Sequence, residues 1–306
     1  MSSPRSFCFL VNPASGGGAA PEAVVPVARE LRSAGATVEV TYSPGPKAMD
    51  SLVDAAVDRG DVVVSVGGDG MLSSLVGAVS LRGGTLGLLP AGRGNDFARM
   101  LGLPADASAQ ARVLLEGEVR AVDLLAFCAP DGAAVRHIAG SVHSGVDARA
   151  AEIVDRARWV PRRAQYPYAA LRALATYQPA RFRVSIDGET REYPAACVVV
   201  ANSGYYGNGM LIAPSARLDD GLLDVVVIEA AGKLELMRSL PKVYDGAHVS
   251  LPEVTVLTGR RVEVAADGRR SAVPVGGDGE SLGSLPGLAG LAAVVEVLPG
   301  ALSVVC

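Results

Sequence analysis

Val62–Val63–Val64–Ser65–Val66 runs directly into Gly67–Gly68–Asp69–Gly70. So short a β-branched run predicts a strand buried on both faces of a sheet. It breaks at three glycines around one aspartate and resumes with helical spacing at Met71, Leu72, Leu75 and Val76. Glycines at such a turn permit positive φ and let another group approach the backbone closely. The free amides and positive dipole end of the following helix favour an anion, of which a nucleotide phosphate is the obvious case. Taken alone, the motif is explained equally well by a Gly-rich turn that carries nothing.

The surrounding chain repeats the pattern. Phe7–Val11 reads as a first strand, closed by Asn12–Pro13–Ala14–Ser15–Gly16–Gly17–Gly18. A helix over Ala23–Ala34 capped by Gly35, a strand over Thr37–Thr41 and a helix over Ala48–Arg59 precede the opening stretch. After it come a helix over Leu72–Ser80 and a strand over Thr85–Leu89, which ends in a third glycine turn, Pro90–Ala91–Gly92–Arg93–Gly94–Asn95–Asp96. Strand, loop and helix in alternation predict a parallel sheet covered by helices, with its loops gathered at the carboxyl edge. An Asn–Asp pair at a helix start is by itself an ordinary N-cap. Three glycine turns at successive strand ends are harder to explain without a ligand.

From about Asp123 the texture changes. Val135–Val142, Arg181–Ile186, Thr190–Tyr193, Cys197–Ala201, Asp224–Ile228, Val254–Thr258 and Arg261–Ala265 read as strands, with Asp187–Gly188 as a hairpin turn. One helical region lies between Asp147 and Tyr177, interrupted near Pro161. This predicts a second, mainly antiparallel domain. A chain of 306 residues that is 49% hydrophobic has the material for two cores.

Other classes are excluded or disfavoured. A net charge of −4 argues against a general nucleic-acid partner. Cys8, Cys128, Cys197 and Cys306 are scattered, without zinc spacing, which suits a reduced cytoplasmic chain. Phe7–Val11 is too short for a signal peptide, and Leu285–Cys306 is broken by Pro286, Glu296 and Pro299, so any membrane contact is expected to be peripheral. No GxxxxGK[ST] occurs, and Gly92–Arg93–Gly94 lacks the third glycine of a dinucleotide fingerprint.

NPASGGG at Asn12–Gly18, GGDG at Gly67–Gly70 and GRGNDFAR at Gly92–Arg99 resemble the nucleotide-binding motifs of the diacylglycerol kinase catalytic family, which includes sphingosine and ceramide kinases and bacterial lipid kinases. The resemblance continues through HIAGSVHSGVDA at His137–Ala148, YYGNGMLIAPSARLDDGLLDVVVI at Tyr205–Ile228 and GGDGE at Gly276–Glu280. It implies an α/β nucleotide-binding domain over residues 1–122 and a β-sandwich acceptor-binding domain over 123–290. A last strand, within Leu291–Val297 of the segment 291–306, would return to the first domain, with nucleotide between the two.

It also implies the site. Asn12, Pro13, Ala14, Ser15 and Gly16, together with Gly67, Gly68, Asp69, Gly70, Met71, Leu72, Ser73 and Ser74, would meet the triphosphate of ATP, with Thr41, Gly94 and Asn95 lining the same place. Glu280 would take the acceptor's proton and Asp96 would hold the acceptor or a metal-bound water network. Mg2+ would bind Asp220 and the carbonyls of Arg217 and Leu222, hard oxygen donors in a loop with three carboxylates in six positions. An Asp-rich turn without an ion, and a solvated hairpin glutamate, are the competing readings of those two stretches.

Two departures stand out. The family's glycine turn continues Thr-Leu-Asn-Glu where this chain has Met71–Leu72–Ser73–Ser74, and Arg93 replaces a small hydroxyl residue. Arg156, Arg158, Trp159, Arg162, Arg163, Tyr166, Tyr168 and Arg172 form a basic-aromatic stretch that suits an anionic bilayer surface. The helical spacing of Tyr168, Leu171, Leu174, Ala175 and Tyr177 suits core packing instead.

The leading expectation is an ATP-dependent kinase of a lipid such as diacylglycerol. A kinase of a soluble alcohol, an NAD kinase (against which NPASGGG, LDDGLLD and the final DGE argue) and a catalytically silent nucleotide-binding protein are the alternatives. A homodimer stays open.

Overall fold

The structure is a computed structural model that describes residues 5–43, 45, 48–157, 159–160, 162–269 and 271–306, with the backbone alone for 155, 156, 162–164, 166, 167 and 170. The chain forms two compact units: residues 1–124 with 207–209 and 299–306, and residues 125–206 with 210–298.

In the first unit, β1 (Ser6–Val11), β2 (Thr37–Tyr42), β3 (Val62–Gly67) and β4 (Thr85–Pro90) alternate with α1 (Ala20–Ser33), α2 (Met49–Asp58) and α3 (Asp69–Leu81). Two further helices, α4 (Asp96–Met100) and α5 (Ala107–Glu116), lead to β5 (Val119–Cys128), whose start belongs to this unit. The strands lie parallel in the order β2–β1–β3–β4. β3 is buried along its whole length, which is why it reads as an uninterrupted apolar run. Phe7, Phe9, Val11, Val62, Val64, Val66 and Leu89 pack against Val24, Val27 and Leu31 of α1 and Leu114 of α5. α5 was not foreseen; its signals are the Asp106 carboxylate, which accepts the Ala109 amide at 2.9 Å as an N-cap, and the buried stripe Gln110, Ala111 and Leu114.

The second unit comprises β6 (Arg136–Ile138), β7 (Ser141–Gly145), α6 (Val146–Arg156), α7 (Arg162–Thr176), β8 (Ala180–Ile186) and β9 (Glu189–Ala201). It continues with β10 (Tyr205–Tyr206), β11 (Met210–Leu211), β12 (Leu223–Glu229), α8 (Lys233–Ser239), β13 (Val254–Gly259), β14 (Arg261–Asp267), β15 (Pro274–Gly277), β16 (Glu280–Ser284) and the start of β17 (Ala293–Val305), whose residues from Pro299 on belong to the first unit. Its pairings are antiparallel, in the order β16–β15–β7–β9–β8–β14–β17, with β12 joining β9 and β13. The result is an α/β unit followed by a β-sandwich-like unit, the expected fold class.

Several boundaries differ from the sequence reading. Thr190–Tyr193 and Cys197–Ala201 are halves of one strand, β9, whose first half pairs β8 while its second half lies between β7 and β12. The expected strand Val135–Val142 is two strands, because Ala139 and Gly140 turn their backbone out of the ladder toward a side chain described below. β17 is longer than expected, and its last residues, Ser303 and Val304, lie parallel to Thr85 and Leu86 of β4 in the first unit. Pro161 lies outside the described residues.

Gly87 on β4 leaves room for α5: a Cβ there would lie 2.7 Å from Leu114 Cδ2 and 3.3 Å from Val64 Cγ2. Gly87→Val is therefore expected to overpack this face and to cost about 1–3 kcal/mol, read as a lower urea midpoint with an unchanged slope. Gly87→Ala should cost less.

Candidate functional site

In the first unit's sheet the strand order reverses between β1 and β3, and ligands in open α/β sheets bind beyond the carboxyl ends of strands at such a point. Asn12–Gly18 leaves β1 there and Gly67–Gly70 leaves β3. Both are tied to their neighbours, the Asn12 amide donating to the Val66 carbonyl at 3.2 Å and the Ala91 amide to the Gly67 carbonyl at 2.8 Å. In the GGDG turn the positive φ is that of Gly67, 159°, whereas Gly16, Gly17 and Gly18 of the first loop are left-handed with φ of 61°, 78° and 99°. Gly68 has φ of −103° and serves a different purpose. A Cβ on Gly92 would stand 2.3 Å from Gly68 Cα, and one on Gly16 would stand 2.3 Å from the Ala91 carbonyl oxygen. The three loops touch backbone to backbone, and glycine is needed for space more than for φ.

α3 begins at Asp69, three residues before the expected start, with Gly68 as N-cap. Among the described residues the amides of Gly68 and Gly70 carry no hydrogen bond, whereas those of Met71 and Leu72 already donate to the Gly68 carbonyl at 3.0 and 3.2 Å. Gly70 is exposed. Asn12, Pro13, Ala14, Ser15 and Gly16 lie on the half-exposed to exposed loop, where Asn12 Oδ1 accepts the Ala14 amide at 3.0 Å. Thr41 sits half-buried on the edge strand β2, opposite Leu10. Met71 and Leu72 are each only 4% exposed, so as side chains they belong to the core and not to a ligand surface. Ser73 is half-buried, and the Ser74 hydroxyl donates to the Met71 carbonyl at 2.7 Å.

Two carboxylates face each other across Gly94, where a Cβ would lie 2.7 Å from Asp69 Oδ2 and 3.3 Å from Asp96 Oδ2. Asp69 Oδ1 accepts the Asp96 amide at 2.8 Å. Asp96 accepts the Asn208 amide on Oδ2 at 2.8 Å and the Gly209 amide on Oδ1 at 2.7 Å. Burial pushes both acids above their ordinary range; at Asp96 the charge of Asp69 adds to it, while backbone amides pull both back down. Asn95, expected as a nucleotide contact or N-cap, is left-handed at φ 52° and turns its amide onto its own loop. Its Oδ1 accepts the Gly92 amide at 3.0 Å and its Nδ2 donates to the Gly92 carbonyl at 3.1 Å. The segment Gly207–Gly209, not foreseen as part of this site, announces itself by the Gly-Asn-Gly that permits φ of 57°, 74° and 95°.

In the second unit Glu280 opens β16, directly after the two-residue turn Asp278–Gly279, whose φ values of 46° and 82° give the hairpin its left-handed corner. Glu280 is exposed and pairs with Gly277 through its backbone, while its carboxylate makes no hydrogen bond or ion pair among the described residues. Asp278 behaves oppositely. Its Oδ2 accepts the Ala139 amide at 2.7 Å, and its Oδ1 accepts those of Gly140 at 2.8 Å and Ser141 at 3.2 Å.

In the Asp-rich loop, Asp220 Oδ1 accepts the Leu222 amide at 3.0 Å, Arg217 pairs with Asp219, and Asp224 accepts the Ser215 hydroxyl at 2.5 Å. Asp220 and Arg217 are exposed and Leu222 is half-buried. Among the described residues no three acidic, histidine or cysteine side chains gather around one point. A cation here would rely on one carboxylate and on carbonyl oxygens, which is hard-donor chemistry of the kind magnesium takes.

Residues 6–127 match the diacylglycerol kinase catalytic domain, and residues 140–306 match the YegS C-terminal NAD kinase beta sandwich-like domain. A protein named diacylglycerol kinase from Mycobacterium tuberculosis is 34% identical over 96% of this chain and 93% of its own length. This chain belongs to the diacylglycerol kinase family. A diacylglycerol kinase of Bacillus subtilis is 24% identical over 91% of each chain. A crystal structure described as a diacylglycerol kinase from Bacillus anthracis shares the fold, with a TM-score of 0.69 and 18% identity, over the whole of this chain and 97% of that one. Family membership makes the chain a phosphotransferase with an alcohol group as acceptor.

At Met71 and Ser74, which depart from the diacylglycerol kinase pattern, the Met71 side chain is core and the exposed Ser74 donates its hydroxyl proton to the Met71 carbonyl. The basic-aromatic stretch divides in two. Arg158 lies outside the described residues, as do the side chains of Arg156, Arg162, Arg163 and Tyr166. Of the rest, Trp159 is 75% exposed and meets Tyr168 edge to face at 5.5 Å, while Arg172 donates to the Tyr168 hydroxyl at 2.7 Å. The core face of α7 is Gln165, Ala169, Ala173 and Leu174, continued by buried Tyr177 just past its end, whereas Leu171 and Ala175 point outward, contrary to the helical spacing proposed for core packing. No helix among the described residues is long and apolar enough to cross a membrane.

The Asp69–Asp96 pair gives a signed expectation. An acid raised in the folded state stabilises fully below its ordinary pKa of 3.8, and that stabilisation is lost as pH rises through the folded value. Asp69→Asn removes one charge of the pair, so the Asp96 carboxyl should titrate lower, followed by carboxyl-carbon NMR. Relative to wild type, the variant's unfolding free energy should increase as pH rises through that window.

Proposed function

We propose that this member of the diacylglycerol kinase family transfers the γ-phosphoryl group of ATP to the hydroxyl of a lipid, with diacylglycerol as acceptor. The observation that carries the nucleotide half is the meeting of the first two glycine loops at the sheet's switch point, where Gly68 and Gly70 amides are unpaired among the described residues. The names of the relatives support the acceptor half.

Phosphoryl transfer asks a protein for positioning and charge neutralisation and for little covalent chemistry. The Asn12–Gly16 loop and the first turn of α3 would receive the phosphates through backbone donors, with Thr41 and Gly94 beside them. Met71, Leu72, Ser73 and Ser74 support that turn from behind. Asp69 and Asn95 shape the third loop, and Asp96 holds Asn208 and Gly209 in place, a positioning role that replaces direct contact with the acceptor. Asp220, with the Arg217 and Leu222 carbonyls, would hold Mg2+. A bound magnesium ion supplies charge neutralisation for polyphosphate. Glu280 would accept the proton of the attacking hydroxyl, for which an exposed carboxylate without a competing partner is suited. Trp159 and Leu171 would rest at the lipid surface.

The direct test is turnover with ATP, Mg2+ and vesicles containing diacylglycerol, with phosphatidic acid as the expected product. Turnover of a water-soluble alcohol with none of the lipid would assign the other acceptor class, and nucleotide binding without any turnover would leave a silent module.

Gly70→Glu separates fold from ligand. A carboxylate in the first turn of α3 favours the helix by about 0.3–1 kcal/mol, so the melting temperature should hold or rise. The same charge beside the phosphates should weaken binding of a non-hydrolysable ATP analogue by at least about tenfold, measured by calorimetric titration. Unchanged affinity would remove α3 from the nucleotide site.

A further inference from the structure

Asp278 and Glu280 stand two residues apart in the same hairpin, and either could in principle take a proton. Their surroundings divide the work. Both oxygens of Asp278 are engaged by the consecutive amides of Ala139, Gly140 and Ser141 at 2.7, 2.8 and 3.2 Å, and its own amide donates to the Ser141 carbonyl at 3.3 Å. The segment that receives it is held from its other side as well. Asn202 and Ser203 amides donate to the Gly140 carbonyl at 2.9 and 3.0 Å, and Asn202 Nδ2, fully buried, donates to the Ala139 carbonyl at 2.9 Å.

Three glycines clear the space for this join. A Cβ on Gly140 would lie 2.8 Å from Asp278 Oδ1, one on Gly277 would lie 2.6 Å from Ile138 Cδ1, and one on Gly276 would lie 2.9 Å from His143 Nε2. The hairpin is thus fastened to the β6–β7 corner along its whole inner edge, and the residue next after the turn, Glu280, is left exposed.

We propose that Asp278 is the positioning residue of this hairpin, spending its carboxylate on the Ala139–Ser141 amides so that Glu280 is held in a fixed direction as the proton acceptor. The inference rests on the role proposed for Glu280. It explains why two acids so close in sequence are not interchangeable: Asp278 accepts from the protein's own backbone and Glu280 is open to a ligand.

The experiment compares Asp278→Asn, Asp278→Ala and Glu280→Gln in the full chain, reading kcat, KM for ATP, the pH dependence of kcat and hydrogen exchange at 139–141. Glu280→Gln should lower kcat by roughly 10²-fold or more, leave KM for ATP nearly unchanged and abolish the loss of rate at acid pH. Asp278→Ala should lower kcat by at least about tenfold, speed exchange of the three amides and keep the acid limb. Asp278→Asn, whose Oδ1 still accepts from the Gly140 and Ser141 amides while its Nδ2 faces the Ala139 amide, should recover part of the rate, and it remains informative if the alanine variant fails to fold. An Asp278→Asn enzyme that is as slow as Glu280→Gln and has lost the acid limb would make Asp278 the base and overturn the proposal. Wild-type kcat in Asp278→Ala with faster exchange would show the join to be structural only. A normal rate in Glu280→Gln would instead overturn the role of Glu280 itself, whatever Asp278 does.

Discussion

Everything in the first unit's loop edge depends on backbone meeting backbone. Gly68 and Gly92 approach so closely that a methyl group on either would intrude on the other, and Gly16 meets the Ala91 carbonyl in the same way. This contact has little apolar area to bury, so it persists because the parallel strands behind it place the three loop ends at fixed spacing, β1 beside β3 and β3 beside β4. The core of Phe7, Phe9, Val64 and Leu89 is therefore what holds the candidate phosphate-facing amides in order.

The acidic residues follow a common logic. Asp69, Asp96 and Asp278 each direct carboxylate oxygens at backbone amides of a neighbouring loop. A carboxylate joins two stretches of chain that no secondary-structure ladder connects, at places where glycine has removed the side chains that would block it. Of the acids that the sequence motifs place at the site, Asp69 and Asp96 also fasten irregular backbone.

The alternation of buried strand, glycine turn and amphipathic helix is local information, and Val62–Gly70 and Thr85–Asp96 show it openly, so the α/β unit and its loop edge were legible. The antiparallel character of the second unit was legible from its short strands and from Asp187–Gly188. The merging of two strands into β9 was not, because Pro194 and Ala195 interrupt the pattern while the backbone continues unbroken between different partners. The split between β6 and β7 was hidden as well, since its cause is Asp278, far along the chain. The same reason conceals the duty of Asp96: residue type and motif point to a ligand, and only the fold reveals the amides of 208 and 209 waiting for it.

The strand β17 carries a consequence for how the protein is made. The piece that lines the free side of β4, residues 299–306, lies about 175 residues beyond Leu124, where the first unit's main segment ends. At roughly 5–20 residues per second of synthesis, the ribosome needs about 9–35 s to bridge that gap. For that interval β4 presents an unpaired edge, with amides and carbonyls open to any other extended chain. The first unit thus begins to emerge before the second and is completed after it, and its window of exposure is set by the time taken to translate the other unit.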